Sequence, residues 1–128
     1  MDRAIGNRVL LAERLEYEML RHARHERPLA LFAVEVDRVE AVADAAAALG
    51  RALRAQDTVA HVGGRGLCVL APETDRYAAT HLSRRLREAV AGACVGVALF
   101  PHDARSARQL VARAAAGARA HAAERRAA

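Results

Sequence analysis

Asp57-Thr58-Val59-Ala60-His61-Val62-Gly63-Gly64-Arg65-Gly66-Leu67-Cys68-Val69-Leu70 is the stretch on which the fold turns. Thr58–Val62 and Leu67–Leu70 are short, apolar and partly β-branched, which is strand composition. Gly63-Gly64 between them supplies two residues able to take positive φ, as a tight reversal requires. Residues 58–70 therefore read as a β-hairpin. On its N-terminal side, residues 38–55 read as a helix with an alanine run at 45–48. Before that, Leu29 to Asp37 reads as a strand. Its first part is almost wholly apolar, as in a buried strand, and its end carries Glu35 and Asp37. Pro28 closes a helix over residues 4–25, where Ile5, Val9, Leu11, Leu15, Met19 and Leu20 recur at helical spacing.

On the C-terminal side Pro72 ends the hairpin. Residues 77–90 place Leu82, Leu86 and Val90 on one helical face. Residues 93–100 form an apolar strand stopped by Pro101. Ser106 is positioned to cap a last helix that runs to about Arg125, with fraying beyond. The order is helix, strand, helix, hairpin, helix, strand, helix, with no internal repeat and no linker. It predicts one α/β domain over residues 1–128, a sandwich whose central sheet is mixed but mostly antiparallel and flanked by helices.

Composition narrows the function classes. The chain has 128 residues and a net charge of +5. Its 53% hydrophobic content is swollen by alanine, which favours helix but buries little area, so the core is lean. All 20 basic residues are arginine, which excludes chemistry that needs a catalytic lysine. Arginine keeps its charge, stacks on flat rings and grips phosphate through paired donors. No segment approaches the roughly 20 apolar residues of a membrane span. The first residues lack the apolar stretch of a signal peptide. Two cysteines, Cys68 and Cys94, do not make a disulfide scaffold. The expectation is a cytoplasmic, reduced setting and no membrane contact.

The glycine-tipped hairpin after a strand ending in alternating acids resembles the GGDEF domain of diguanylate cyclases. Asp2-Arg3-Ala4-Ile5-Gly6-Asn7-Arg8 is similar to a shortened D-x-L-T-G-L-x-N-R opening. Val34-Glu35-Val36-Asp37 stands at the D-x-D strand end. Asp57 to Gly64 matches D-x-x-x-R-x-G-G except at His61, and Cys94-Val95-Gly96-Val97-Ala98 resembles S-x-G-V-A, with Pro101 following. The resemblance implies a nucleotide-cyclase, palm-like α/β sandwich with a sheet of four or five strands.

The resemblance also shows what this chain lacks. Active members hold two magnesium ions between a strand-end acid and the third residue of G-G-[DE]-E-F. Here that segment is Gly63-Gly64-Arg65-Gly66-Leu67. Glu35 stands for the first acid, with Asp37 beyond it. Arg65 replaces the second acid with a fixed positive charge that repels a hard cation. The family's lysine after D-x-D falls near Glu40, its guanine-reading asparagine near Ala43, and its late lysine near Ala122. The stretch between first strand and hairpin is too short for the family's second helix and its G-H-x-x-G-D loop. The expectation is a degenerate active site without catalysis, cofactor or magnesium, and an ion pair between Glu35 and Arg65 in the metal's place.

One family site is kept. Arg54-Ala55-Gln56-Asp57 matches the R-x-x-D of the product-inhibition site, at the family's distance from Gly63-Gly64. Arg85, flanked by Arg84 and Arg87, stands where a further arginine completes that site. The ligand implied is cyclic di-GMP, a dianion with two guanine faces. Arginine forks onto guanine O6/N7 or phosphate, and a carboxylate accepts from guanine N1–H. The resulting expectation is a non-enzymatic receptor that relays its signal to a protein partner, with ligand-promoted homodimerisation as one route. A ligand-free dimerisation or docking module is the alternative. Few aromatics argue against a single-strand stacking platform, which leaves only general phosphate attraction for nucleic acid. His22 and His25 are one turn apart, but no third metal ligand accompanies them.

Overall fold

A computed structural model describes residues 5–128. The helix expected from residue 4 begins at Arg8, as α1 (Arg8–His25). Asn7 sets that start: its side chain accepts from the Leu10 N–H at 3.0 Å and caps the first turn. Gly6 is instead tied to the hairpin, donating to Val59 O and accepting from His61 N, both at 2.9 Å. The Asp2–Ala4 part of the opening motif lies outside the described residues.

The remaining elements follow in the expected order. They are β1 (Leu29–Glu35), a single 3-10 turn (Val39–Ala41), α2 (Val42–Ala52), β2 (Thr58–Gly63), β3 (Gly66–Pro72), α3 (Arg76–Ala89), β4 (Cys94–Phe100) and α4 (Ala107–Ala127). Asp37 lies just past the end of β1. The second helix is shorter than the sequence pattern implied. Leu53 turns extended and residues 54–57 close a separate turn, with the Asp57 N–H donating to Arg54 O at 3.1 Å. Ser106 caps α4 as expected, and α4 stays helical to Ala127.

The four strands run in the order β2-β3-β1-β4. Every neighbouring pair is antiparallel, and the parallel contact is the isolated bridge of Gly6 with Ala60. Gly63 (φ 110°) and Gly64 (φ 52°) make the hairpin tip in left-handed backbone, which explains the glycine pair. Alternation along β1 divides the core in two. Ala30, Phe32 and Val34 pack under α2 and α3 with Leu49, Leu82 and Leu86. Leu29, Leu31 and Ala33 pack under α1 and α4 with Leu11, Leu15 and Leu110. Both faces of the sheet are covered, which is why its central strand is apolar at nearly every position.

Cys68 of β3 lies in the second cluster, and burial pushes its thiol from 9.0 up to about 11. The neutral thiol is the form the core accepts. Its contribution to stability is complete below pH 9.0 and is lost as pH rises toward about 11. Stability is expected to fall by about 2–3 kcal/mol across that window, at roughly 1.4 kcal/mol per unit. Urea melts at pH 8, 9 and 10.5 check this, because Cys68→Ala removes that part of the slope.

Candidate functional site

Two clusters of chemistry sit at opposite ends of β1. At one end Glu35 pairs in register with Gly66 and Cys94, and at the other Leu29 pairs with Pro72. A strand of this length holds the two ends about 20 Å apart.

At the Glu35 end, Arg65 Nη2 donates to Glu35 Oε1 at 2.7 Å. The expected cross-strand ion pair is present. Both side chains are over a third exposed, so the pair adds little stability. It lines a cleft of about 320 Å³ together with Asp37, Cys94, Ala122 and Arg126. Ala122, the position implied for a lysine, thus faces the same cleft as Glu35. Arg125 closes the wall, donating to Gly92 O at 2.7 Å and Ala93 O at 3.3 Å. A pair of divalent cations needs converging carboxylates. Glu35 is already paired with the Arg65 guanidinium, and Arg125 and Arg126 line the same cleft, against which Asp37 is the one other carboxylate of the lining. These residues do not fit such cations. Among the described residues no three His, Cys, Asp or Glu side chains gather as metal ligands.

At the opposite end, Arg54 and Asp57 are brought together as their spacing implied. Asp57 Oδ2 accepts from the Arg54 backbone N–H at 2.9 Å and from Nε at 3.3 Å. Its Oδ1 accepts from Nη2 at 3.0 Å. The same Nη2 reaches Pro72 O at 2.8 Å and Thr74 Oγ1 at 2.9 Å. Thr74, itself buried, donates to Pro72 O. Sequence spacing revealed neither Pro72 nor Thr74, since they reach Arg54 only through the β3–α3 connection. The Asp57 side chain is 1% exposed, whereas that of Arg54 is 42% exposed. Both carboxylate oxygens are turned inward on Arg54. The outward-facing member of the pair is the guanidinium.

Arg85 joins this end from α3. Its Nη2 donates to Ala52 O at 2.5 Å, an end carbonyl of α2 two residues before Arg54. Arg84 and Arg87 leave the helix about 100° and 160° away from Arg85 at 3.6 residues per turn, so neither shares its direction. The basic cluster expected around Arg54 therefore narrows to Arg85. His22 and His25 lie at this same end of β1 but line a separate hollow with Leu29 and Glu73, where His22 is half-buried and packed edge-on against Phe100 at 5.0 Å between ring centres.

Four antiparallel strands with α2 and α3 on one face, α1 and α4 on the other and a glycine-tipped hairpin at the edge form an α/β domain of GGDEF fold. No family model matches the chain. The diguanylate cyclase DgcP of Pseudomonas aeruginosa is 35% identical in an alignment of 100 positions that covers 68% of this chain and 15% of that protein. The chain thus spans only a small part of the curated relative it matches. The solved GGDEF domain of YfiN from Pseudomonas aeruginosa superposes with a TM-score of 0.82 at 20% identity, covering 90% of this chain and 88% of that one. Diguanylate cyclase SiaD of Pseudomonas aeruginosa, solved with its activator SiaC, superposes with a TM-score of 0.78 at 25% identity, covering 94% of this chain and 56% of that one. The active GGEEF domain of a Vibrio cholerae diguanylate cyclase gives a TM-score of 0.79 at 18% identity, covering 88% of each chain.

Proposed function

We propose that this domain is a receptor for cyclic di-GMP that does not synthesise it. The observation that carries the reading is the Arg54–Asp57 turn with Arg85 beside it. The guanidinium is held by a buried carboxylate, a carbonyl and a buried hydroxyl, yet stays partly open to solvent. A guanidinium fixed in this way is ready to fork onto guanine O6/N7 or phosphate with little further ordering. Asp57 acts from behind as the group that orients Arg54, rather than by meeting the base itself. The Glu35–Arg65 pair supports the absence of synthesis, because it places a fixed cation where two triphosphates would need metal. The signal passes to a protein partner; SiaD, solved in complex with its activator SiaC, is a protein of the same fold that binds another protein.

Calorimetric titration tests this. Cyclic di-GMP is expected to bind the parent protein, and Arg54→Ala is expected to weaken binding by about 100-fold, as loss of a charged bidentate contact does. The same preparation with GTP and magnesium is expected to yield no cyclic di-GMP. Absence of heat at tens of micromolar protein would overturn the receptor reading and leave a ligand-free docking or dimerisation module. Product formed from GTP would overturn the inactive reading.

A further inference from the structure

The aromatic content of this chain is 3%, with two tyrosines and no tryptophan, so the placement of each ring is informative. Tyr77 is the most open of the large apolar side chains, 75% exposed, in the first turn of α3. His81, one turn on and also exposed, packs edge-on against it with ring centres 4.6 Å apart. Arg85 follows after another turn. Tyr77, His81 and Arg85 thus form one i, i+4, i+8 row along α3, on the side away from the buried Leu82 and Leu86.

The row is tied to the Arg54 turn at two points, through Thr74 at the start of α3 and through Arg85 on the Ala52 carbonyl. Thr74, which accepts from Arg54 Nη2, lies just before Asp75, the N-cap of α3. Helical side chains lean toward the N-terminus. Tyr77 therefore leans back toward the start of α3 where Thr74 lies, His81 packs onto Tyr77, and Arg85 reaches Ala52 O. The inward turn of Asp57 leaves the cluster with charged donors but nothing yet assigned to hold the flat face of a base. The open face of Tyr77, braced edge-on by His81, supplies that face.

We infer that Tyr77, braced edge-on by His81, is a base-stacking platform completing the Arg54–Arg85 site, whose ligand is an anionic purine nucleotide bound with one base on the Tyr77 ring and its edge or phosphate on the arginines. The inference rests on the receptor reading and adds two specificity-determining residues to it. An overall shortage of aromatics is no obstacle, because one base needs only a local pair of rings.

The lack of tryptophan makes tyrosine emission a direct probe. In a Tyr17→Phe background Tyr77 is the sole tyrosine. Cyclic di-GMP is expected to quench its emission with the same saturation curve that calorimetry gives. Tyr77→Ala is expected to weaken binding about tenfold, His81→Ala severalfold, and Tyr77→Phe to retain affinity within about twofold, since stacking needs the ring and not the hydroxyl. Tyr77 is exposed, so these variants keep the parent's melting temperature. If Arg54→Ala abolishes binding while Tyr77→Ala binds like the parent and emission does not change, the platform is overturned and the receptor reading stands. If the parent protein binds no cyclic di-GMP, the receptor reading falls and the platform falls with it.

Discussion

Gly96→Ala is expected to destabilise the domain by about 3–5 kcal/mol, the upper end of what an overpacked core substitution costs. Gly96 lies in β4 directly beneath α4. A Cβ there would stand 2.1 Å from Ala114 O, 2.2 Å from Ala118 N and 2.6 Å from Gly117 C. All three are helix backbone atoms, so no side-chain rotation relieves the clash. The helix must lift off the sheet, which loosens the buried Leu110, Ala114 and Ala118. Small domains hold only about 5–15 kcal/mol in total, so the melting temperature should drop by about 15 °C. Gly117 approaches the same crossing from the other side, but a Cβ there stands 3.1 Å from Gly96 Cα, 3.5 Å from Val97 N and 3.7 Å from Gly96 C, so a shift of a few tenths of an ångström relieves it. Gly117→Ala also gains up to about 1 kcal/mol of helix propensity, so its net effect should stay within about 1 kcal/mol. Thermal melts of the two variants settle the matter. A Gly96→Ala protein melting within 2–3 °C of the parent would show that α4 does not sit as closely on β4 as described.

The consequence of that crossing reaches the cleft. His121 of α4 accepts from the Val95 N–H at 3.0 Å, and Ala122 and Arg126 face Glu35 and Arg65 from the same helix. Displacing α4 moves this whole wall. Sequence alone carried no trace of it, because a glycine in an apolar strand reads the same whether a helix backbone or nothing lies above it. What the sequence did expose was chemistry set by local spacing. The Gly63-Gly64 turn, the Ser106 helix start and the Arg54–Asp57 turn each depend on residues only a few positions apart, whereas the Asn7 cap, equally local, lay inside the helix expected from residue 4. The Glu35–Arg65 pair was also legible, because the hairpin and a strand end fix its partners by register. Residues that act across the fold were not. Thr74 and Pro72 reach Arg54 through a loop, Arg125 reaches Gly92 and Ala93 from the last helix, and Arg85 separates from Arg84 and Arg87 only once the helix direction is known. Tyr77 and His81 were visible as letters, but their meeting on the open face beside Arg54 was not.

Asp57→Ala is expected to lower stability by about 2–3 kcal/mol and to weaken cyclic di-GMP binding as severely as Arg54→Ala does. The side chain is almost wholly buried and accepts three hydrogen bonds from Arg54, one of them from its backbone. Removing it takes away the acceptor that closes the turn between α2 and β2 and leaves donors to be satisfied elsewhere, a change of this order for charge-assisted bonds. Melting should fall by about 10 °C. Asp57→Asn separates the structural part from the functional one. Its carbonyl oxygen can still accept from the Arg54 N–H, so the turn survives with a loss of about 1 kcal/mol. Its amide NH₂ now faces the guanidinium, where donor meets donor, and Arg54 is no longer held toward solvent in one orientation. Binding measured well below the melting temperature should therefore weaken about tenfold in a protein that remains folded. Retained affinity in Asp57→Asn would mean that Thr74 and Pro72 alone position Arg54. A binding loss matching Arg54→Ala, in a variant melting like the parent, would mean that the carboxylate meets the ligand directly and must swing outward to do so.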